Sequence, residues 1–293
     1  MRHAQIKELV VLSGKGGTGK TSVTASFAML AKKAVVADCD VDAADLHLVL
    51  NPEVQERRCF FSGNEAEIRF NDCTGCGKCH TLCRFDAIYR TENNRYQVDP
   101  VACEGCGVCV QFCPAKAIDF PERHSGHWMI SQARSGPMVH AQLEPAAENS
   151  GKLVTTVRER SWELAVDKRI PLIISDGPPG IGCPVIASLS GVSLALLVTE
   201  PTVSGLHDLQ RVLALTRHFS VPTIVCVNKW DINPQQTERI EAAARAAGAQ
   251  VAGRIRYDRG ITQAQLQQIT AVELGCAAAD DIRKVWQQIK RLL

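Results

Sequence analysis

Apolar and polar stretches alternate along most of the chain in an order that predicts strands and helices in turn. Continuous apolar runs of roughly five to eight residues, typical of strands buried on both faces of a parallel sheet, occur at Ile6–Ser13 and Ala34–Asp38. Helical sequence, Thr21–Lys32, lies between them. Four more apolar runs precede turn signals or helical sequence: Leu172–Asp176, Leu194–Thr199, Thr223–Asn228 and Gln250–Ile255. The pattern predicts an α/β fold, a mostly parallel sheet flanked by helices.

The alternation stops between about Arg57 and Pro121, where cysteines and turn residues dominate. A segment from Cys73 to Ile88 recurs thirty residues later, from Cys103 to Ile118. We therefore predict a discontinuous larger domain, residues 1–56 and 122–293, and an inserted small α+β domain, residues 57–121. The polar connection 122–152 has no clear period and is assigned to the larger domain.

Charge and hydropathy indicate where in the cell the protein is expected and which partners are not. The formal net charge is +2, and no basic patch gives a reason to expect nucleic-acid binding. Gly177–Thr199 has no charged residue, but its prolines and glycines predict a turn, a short helix and a strand in place of a membrane span. The polar start, Met1–Lys7, lacks the apolar region of a signal peptide. We expect a cytoplasmic protein without membrane contact.

The loop after the first strand carries the most specific motif. Its sequence, Gly-Lys-Gly-Gly-Thr-Gly-Lys-Thr from Gly14 to Thr21, fits the G-x-x-x-x-G-K-[ST] phosphate-binding loop between a strand and a helix. Backbone N–H groups and the helix N-terminus bind phosphate in such loops. We expect Lys20 to neutralise the β and γ oxygens of ATP and Thr21 to ligate Mg²⁺. The residues expected to surround the phosphates are Gly14, Gly16, Gly17, Thr18, Gly19, Lys20 and Thr21.

With Lys15 early in this loop, the motif resembles the deviant Walker A motif of the MinD, ParA, Mrp and nitrogenase iron protein family. The resemblance covers roughly Ile6–Pro52 and Lys152–Leu293. It implies an ATP-dependent dimer, either a homodimer or a dimer with a related ATPase. It also implies that Lys15 reaches across the dimer interface to the nucleotide of the partner.

Two further segments resemble the switch regions of the same family. The end of the strand Val35–Asp38 resembles switch I, which implies that Asp40 orients or activates the attacking water and that Asp38 lies near the metal. The motif Asp-Gly-Pro-Pro-Gly resembles Walker B followed by switch II. That resemblance implies that Asp176 is linked to Mg²⁺ and that Gly180 senses the γ-phosphate.

The carboxyl-terminal part of the resemblance concerns the base and the last helix. Asn228, in Asn228-Lys229 at the end of a predicted strand, resembles the family's adenine-recognition residue. The last helix carries an apolar stripe that either packs on the sheet or, as in the MinD branch, binds lipid. We favour packing for this stripe, which is formed by Ile282, Val285, Trp286, Ile289, Leu292 and Leu293.

The cysteines of the insert form two runs with the spacing of bacterial two-cluster ferredoxins. Because the fourth cysteine of each run ligates the other cluster in that pattern, we predict two [4Fe-4S] clusters with crossed ligands. Structural zinc is the alternative, but zinc sites usually pair two distant Cys-x2-Cys units. Arg84 replaces the proline of the first run without removing a ligand. The predicted ligand sets are Cys73, Cys76, Cys79 and Cys113 for one cluster, and Cys103, Cys106, Cys109 and Cys83 for the other.

Two of the remaining cysteines give specific expectations. Cys226 lies within a predicted strand and is expected in the core. Cys183 follows Asp176 by seven residues, near the position where the nitrogenase iron protein has a cysteine that binds a cluster between subunits. We favour a buried, inert thiol for Cys183 over a bridging ligand.

Three functions fit these patterns. In the first, an ATP-hydrolysing dimer gates electron transfer through the two clusters to an unidentified redox or metallocluster protein. In the second, the chain carries or assembles iron–sulfur or related metal centres, as the Mrp branch does. In the third, it is a MinD-like positioning ATPase with structural clusters. The Cys-x-x-Cys pair typical of the carrier branch is absent from the second half of the sequence, which favours the first function.

Overall fold

The computed structural model describes residues 6–145, 147 and 151–293, so the first five residues of the predicted larger domain lie outside the described residues. The described residues divide into two compact units. We call those within 1–58, 127–143 and 149–293 the sheet unit, and those within 59–126 and 144–148 the cysteine unit.

Strands and helices follow each other along the described chain in a regular order. The strands are β1 Lys7–Ser13, β2 Val35–Asp38, β3 Glu53–Asn64, β4 Glu67–Ile68, β5 Ile88–Arg90, β6 Tyr96–Val98, β7 Ile118–Asp119, β8 Glu122–Ala133, β9 Gly136–Leu143, β10 Leu172–Pro179, β11 Leu194–Thr199, β12 Thr223–Asn228 and β13 Gln250–Ile255. The helices are α1 Lys20–Ala31, α2 Leu46–Leu50, α3 Lys78–Leu82, α4 Val108–Phe112, α5 Lys152–Asp167, α6 Cys183–Leu189, α7 Val203–His218, α8 Pro234–Ala246, α9 Arg259–Leu266, α10 Ala271–Leu274 and α11 Ala277–Leu292.

The large sheet confirms the predicted α/β fold. Its strand order is β13-β12-β11-β1-β10-β2-β9-β8-β3, and the pairings from β13 to β9 are all parallel. All six strands predicted from apolar runs are confirmed to within one residue at each end, except that β10 continues to Pro179.

The sequence did not predict β3, β8 or β9. β8 alternates buried Met129, Ser131 and Ala133 with more exposed residues, a period of two that polar residues disguise. β9 lies beside β2, with Met138 paired to Val36. The polar connection therefore extends the sheet.

The core lies on both faces of this sheet because neighbouring strand residues point to opposite faces. Leu9 and Val11 of β1 belong to one buried cluster, whereas Val10 and Leu12 belong to another. The first cluster also includes four of the six residues of the α11 stripe. These four, which confirm the packing prediction, are Ile282, Val285, Trp286 and Ile289.

The uncharged segment Gly177–Thr199 comprises the end of β10, helix α6 and strand β11, as predicted. Among the helices of the described residues, none is both long and apolar enough to cross a bilayer.

The cysteine unit has much less regular structure. Two small antiparallel pairs, β4 with β7 and β5 with β6, accompany helices α3 and α4. These helices begin after Gly77 and Gly107, whose φ values of 76° and 73° are in the left-handed region that favours glycine. The duplication in the sequence is therefore a duplication of turn and helix. The buried cluster of this unit comprises Ala66, Ala87, Ile88, Val98, Cys103 and Ile118.

Candidate functional site

Parallel pairing brings the predicted phosphate loop and acidic residues to one edge of the sheet. Asp176 of β10 is in register with Val11 of β1 on one side and with Asp38 of β2 on the other. The loop follows β1, and Asn228 is the last residue of β12. Ligands of open α/β sheets bind at this carboxyl edge.

The phosphate loop forms one wall of a cavity of about 370 Å³. Gly19 has a φ of 88°, and a Cβ on this residue would lie 2.3 Å from Nδ2 of Asn228. The same Nδ2 donates a hydrogen bond to the carbonyl oxygen of Thr18 at 2.7 Å. Asn228 is thus held against the loop, where only glycine fits. The predicted residues that line this cavity are Gly16, Gly17, Thr18, Gly19, Lys20, Thr21, Asp40 and Asn228.

A buried cluster of charges lies beneath the loop. Nζ of Lys20 is 2.9 Å from Oδ1 of Asp176 and 3.2 Å from Oδ2 of Asp40. Burial alone would lower the pKa of Lys20, but Asp176, Asp40 and Asp38 outweigh it and raise the pKa above its ordinary value. Lys20 therefore remains an ammonium group, held in place before any phosphate binds.

Oxygen atoms suited to a hard cation surround this ammonium group. The Thr21 hydroxyl donates to Oδ2 of Asp176 at 2.7 Å, and the Thr24 hydroxyl donates to Oδ1 at 2.8 Å. Burial, followed by repulsion from Asp176, raises the pKa of Asp38 well above its ordinary value. Oδ2 of Asp38 is buried and has no hydrogen-bond partner among the described residues. The Thr21 hydroxyl and the carboxyl groups of Asp176 and Asp38, the latter with an unsatisfied buried oxygen, fit Mg²⁺, which binds oxygen ligands and retains several waters.

Thr24 was not among the predicted site residues. It lies one helical turn after Lys20, so its hydroxyl faces the same strand end. Helix periodicity combined with the phosphate-loop motif is the signal that could have found it.

Lys15 does not line the cavity, and its ammonium group is bound by a carboxylate of the same chain. Its Nζ is 2.7 Å from Oε1 of Glu200 and 3.0 Å from the Ser204 hydroxyl. Nζ of Lys229 is 3.2 Å from Oε2 of the same carboxylate and donates to the carbonyl oxygen of Gly17 at 3.0 Å. Burial would raise the pKa of Glu200, but the two lysines lower it.

Glu200 was also not among the predicted site residues. This residue directly follows β11, so it reaches the same sheet edge as the other acidic groups. Its position at the carboxyl end of a predicted strand is the signal that could have found it.

Gly14, the first residue of the loop, and Gly180, which is hydrogen-bonded to the residue before Gly14, are not among the residues that line the cavity. A Cβ on Gly14 would lie 2.4 Å from Cβ of Asp208, which explains a glycine at this close approach. The Gly180 N–H donates to the carbonyl oxygen of Ser13 at 2.9 Å, so the segment predicted to be switch II is hydrogen-bonded to the strand that precedes the loop.

The prediction of a buried Cys183 is wrong. This thiol is exposed at the first residue of α6. The buried residues of α6 are Val185, Ser188 and Leu189, so the first residue faces away from the packed side. Cys226 is buried in β12, as predicted.

The eight cysteines of the insert surround two separate cavities, each lined by three cysteines of one run and the fourth cysteine of the other. Cavity A is lined by Cys73, Cys76, Cys79 and Cys113. Cavity B is lined by Cys103, Cys106, Cys109 and Cys83.

The donor atoms of both cavities fit iron–sulfur clusters. All eight cysteines are free thiols, and four thiolates per site are the ligand set of a [4Fe-4S] cluster. Burial raises the pKa of Cys79, and it raises that of Cys109 to about 11. These two thiols are therefore protonated at neutral pH, and metal binding would release their protons.

Comparisons with known proteins agree with the geometry of the sheet unit. Residues 9–271 match the family model described as the CobQ/CobB/MinD/ParA nucleotide binding domain. The uncharacterized protein MJ0578 of Methanocaldococcus jannaschii is 35% identical over 232 residues, which are 78% of this chain and 80% of the relative.

Solved structures share the fold at lower identity. The cell division ATPase MinD of Pyrococcus furiosus gives a TM-score of 0.58 at 21% identity, covering 98% of this chain and 99% of that one. The septum site-determining protein MinD of Pyrococcus horikoshii, complexed with Mg-ADP, gives 0.58 at 18% identity, covering 98% and 97%. With its phosphate loop, parallel sheet and matched family model, the chain belongs to the CobQ/CobB/MinD/ParA family of nucleotide-binding domains.

Proposed function

We propose that this chain is an ATPase whose ATP-dependent dimer gates electron transfer through two [4Fe-4S] clusters to a partner protein. The observation that carries the proposal is the crossed arrangement of eight cysteines around cavities A and B, in a chain whose sheet unit has the phosphate loop. The nucleotide site would bind and hydrolyse ATP, and the clusters held by the two cysteine quartets would carry the electrons. Family membership supports the ATPase activity, and the eight thiol donors support the binding of clusters.

ATP binding in this proposal uses the groups already held at the sheet edge. Lys20 exchanges its contacts with Asp176 and Asp40 for β and γ oxygens, and Asn228 hydrogen-bonds the base. Thr21, Asp38 and Asp176 would hold Mg²⁺, which neutralises developing charge on the phosphates. The MinD of P. horikoshii, complexed with Mg-ADP, supports this choice of ligand.

Hydrolysis requires a group that positions water. Asp40 is 7% exposed and lines the cavity, so its carboxylate can accept a hydrogen bond from a water beside the γ-phosphate. The water oxygen bonds to γ-phosphorus as the bond to the β–γ bridging oxygen breaks, which gives ADP and phosphate.

Substitutions separate binding from hydrolysis. Lys20→Ala is expected to abolish ATP binding and turnover, because the phosphates lose their ammonium partner. Asp40→Ala is expected to bind ATP and lose at least about a hundredfold in hydrolysis rate. Equal hydrolysis by Asp40→Ala and wild type would assign water positioning to another residue.

Dimerisation tests the role of Lys15. In the proposed dimer Lys15 leaves Glu200 and contacts the partner's phosphates. Sedimentation in a slowly hydrolysed ATP analogue is expected to show wild-type dimer and Lys15→Ala monomer, with Lys284→Ala as the control for a lost surface lysine. Unchanged association of Lys15→Ala would contradict the proposal of a nucleotide-sandwiched dimer.

Cluster content tests the cysteine unit directly. Anaerobically purified protein is expected to contain about eight irons and eight acid-labile sulfides per chain, from two four-iron clusters. Cys113→Ser is expected to damage the cluster of cavity A and spare that of cavity B. Zinc without labile sulfide after anaerobic reconstitution would overturn the iron–sulfur proposal.

Gating distinguishes the proposed function from the carrier and the positioning ATPase. Protein reduced with dithionite is expected to pass electrons to a soluble acceptor at different rates with ATP analogue and with ADP, and Lys15→Ala is expected to lose this difference. Transfer of intact clusters to an apo-ferredoxin would favour the carrier. Rates that are independent of nucleotide, with clusters retained, would favour the positioning ATPase.

A further inference from the structure

The duplication in the cysteine unit allows the two cavities to be compared position by position. Residues thirty positions apart are equivalent, because the run beginning at Cys73 corresponds to the run beginning at Cys103. Thr74 and Glu104 each follow the first cysteine of a run, and each lines its own cavity. Cavity A thus has a neutral hydroxyl where cavity B has a carboxylate.

A second pair differs at the first residue of the two equivalent helices. Lys78 begins α3, whereas Val108 begins α4. Nζ of Lys78 lies 5.5 Å from the ring centroid of Phe112, the residue before Cys113. The first position of the helix thus has an ammonium group over the ring that precedes Cys113 in the sequence, whereas the equivalent position in α4 has valine.

A third pair is formed by two aromatic residues that cover the equivalent glycines. A Cβ on Gly77 would lie 2.8 Å from the Tyr96 hydroxyl oxygen, and a Cβ on Gly107 would lie 3.3 Å from the Phe120 ring. Tyr96 lines cavity A, and Phe120 lines cavity B. The aromatic residue of cavity A therefore has a hydroxyl group, and that of cavity B does not.

All three differences favour the reduced state of a cluster in cavity A over that of a cluster in cavity B. Reduction adds negative charge to a site that already holds four thiolates. A nearby carboxylate opposes this charge, and an apolar lining stabilises it less than polar groups do. An ammonium group and a hydroxyl donor favour it. At these three positions, cavity A therefore has residues that favour the reduced state, and cavity B has residues that oppose it.

We propose that these three residue pairs give the clusters of the two cavities different reduction potentials, and that the potential in cavity B is the more negative. The inference rests on the proposed iron–sulfur function and adds a direction to it. A cluster held in cavity B would then pass one electron to a cluster held in cavity A, so that the first would be oxidised and the second reduced, and no proton would be needed for balance.

Reciprocal substitutions test the assignment on the whole chain. Iron and sulfide are measured first, and an anaerobic redox titration is then followed by electron paramagnetic resonance. Wild type is expected to show two separate midpoints. Glu104→Thr is expected to raise only the more negative midpoint, and Tyr96→Phe is expected to lower only the other. Raising the ionic strength is expected to shrink the Glu104→Thr shift, because the Glu104 side chain is exposed.

A matched control separates this effect from a general loss of charge. Glu92 is exposed and lines neither cavity, so Glu92→Thr is expected to leave both midpoints in place. A single shared midpoint in wild type overturns the inference, as does a Glu104→Thr shift in the less negative midpoint or one no larger than that of Glu92→Thr. These outcomes leave the proposed function intact. Absence of iron and labile sulfide overturns the proposed function and the inference with it.

Discussion

The sheet unit and the cysteine unit both place reactive groups on glycine turns, but they stabilise those groups in different ways. In the sheet unit, Lys20 and Asp176 are already paired, and two large clusters of buried side chains cover the sheet faces. In the cysteine unit, the buried cluster has six members, and the eight cysteines of the two runs, including Cys103 of that cluster, line two cavities. A site made of opposite charges can be preformed by the protein alone, whereas a site made of thiols depends on the metal that joins them.

The largest effect should come from removing the proposed clusters. A core as small as that of the cysteine unit supplies no more than about 3–5 kcal/mol, so iron chelation after oxidation is expected to expose its backbone to hydrogen exchange. Protection of β1, β10 and β11, and ATP binding, should persist.

Two exposed cysteines provide a matched pair for this experiment. Cys106 lines cavity B, whereas Cys183 lies in α6 outside both cavities. Cys106→Ser is expected to lose about four irons per chain and Cys183→Ser none. Equal protection of residues 59–126 with and without iron would contradict the difference between the two units.

The second effect concerns a buried ion pair in the sheet unit. Glu8 of β1 is completely buried and accepts hydrogen bonds from Arg158 at 2.9 and 2.7 Å, from Trp162 at 2.9 Å and from Ser175 at 2.8 Å. Glu8→Ala leaves the Arg158 guanidinium without its carboxylate and is expected to cost about 3–5 kcal/mol in the free energy of unfolding.

Tryptophan fluorescence during denaturant titration measures this loss in the sheet unit alone, because all four tryptophans lie within it. The control is Glu163→Ala, which removes the exposed partner of Arg160 and is expected to cost less than about 1 kcal/mol. Iron content should stay the same in both variants. Equal losses of unfolding free energy in the two variants would show that the buried ion pair of Glu8 stabilises the fold no more than the exposed pair of Glu163.

Sequence alone predicted the elements that have a strong local signal. The six parallel strands were found because each is a mainly apolar run, and the cysteine quartets were found because their spacing follows the two-cluster ferredoxin pattern. β8 and β9 were missed because Ser131 and His140 occupy buried positions, which breaks the apolar pattern. Glu200 and Thr24 were missed because their roles come from spatial neighbours that are distant in sequence.

A third, smaller effect depends on pH and again belongs to the sheet unit. His140 of β9 is 7% exposed, and its Nε2 is 2.8 Å from the Ser131 hydroxyl. Burial, followed by repulsion from His47, lowers the pKa of His140 from 6.5 to about 4. The folded state therefore prefers neutral His140. Its stabilising effect is complete above the unfolded pKa and is lost as the pH falls from 6.5 toward 4.

The loss is at most about 3 kcal/mol, and His140→Gln isolates it. The difference in unfolding free energy between wild type and this variant is expected to shrink between pH 7 and pH 4, as measured by tryptophan fluorescence. His207→Gln, at a histidine whose side chain is 70% exposed, serves as the control. A difference that is constant with pH would show that His140 is not the group that titrates.

The smallest effect tests whether the preformed charges of the sheet unit also restrain Lys15. The Lys15 and Glu200 side chains are 33% and 17% exposed, so solvent screens the pair and its worth is at most about 1 kcal/mol. Glu200→Gln keeps the shape and removes the charge that competes with the partner's phosphates. The expected result is up to about fivefold tighter association in a slowly hydrolysed ATP analogue, measured by sedimentation. Glu238→Gln, on the exposed face of α8, controls for net charge, and the gain should vanish in a Lys15→Ala background. Weaker association of Glu200→Gln would instead mean that Glu200 supports the proposed dimer, and the sheet unit would then depend on a bound partner as we propose that the cysteine unit depends on its metal.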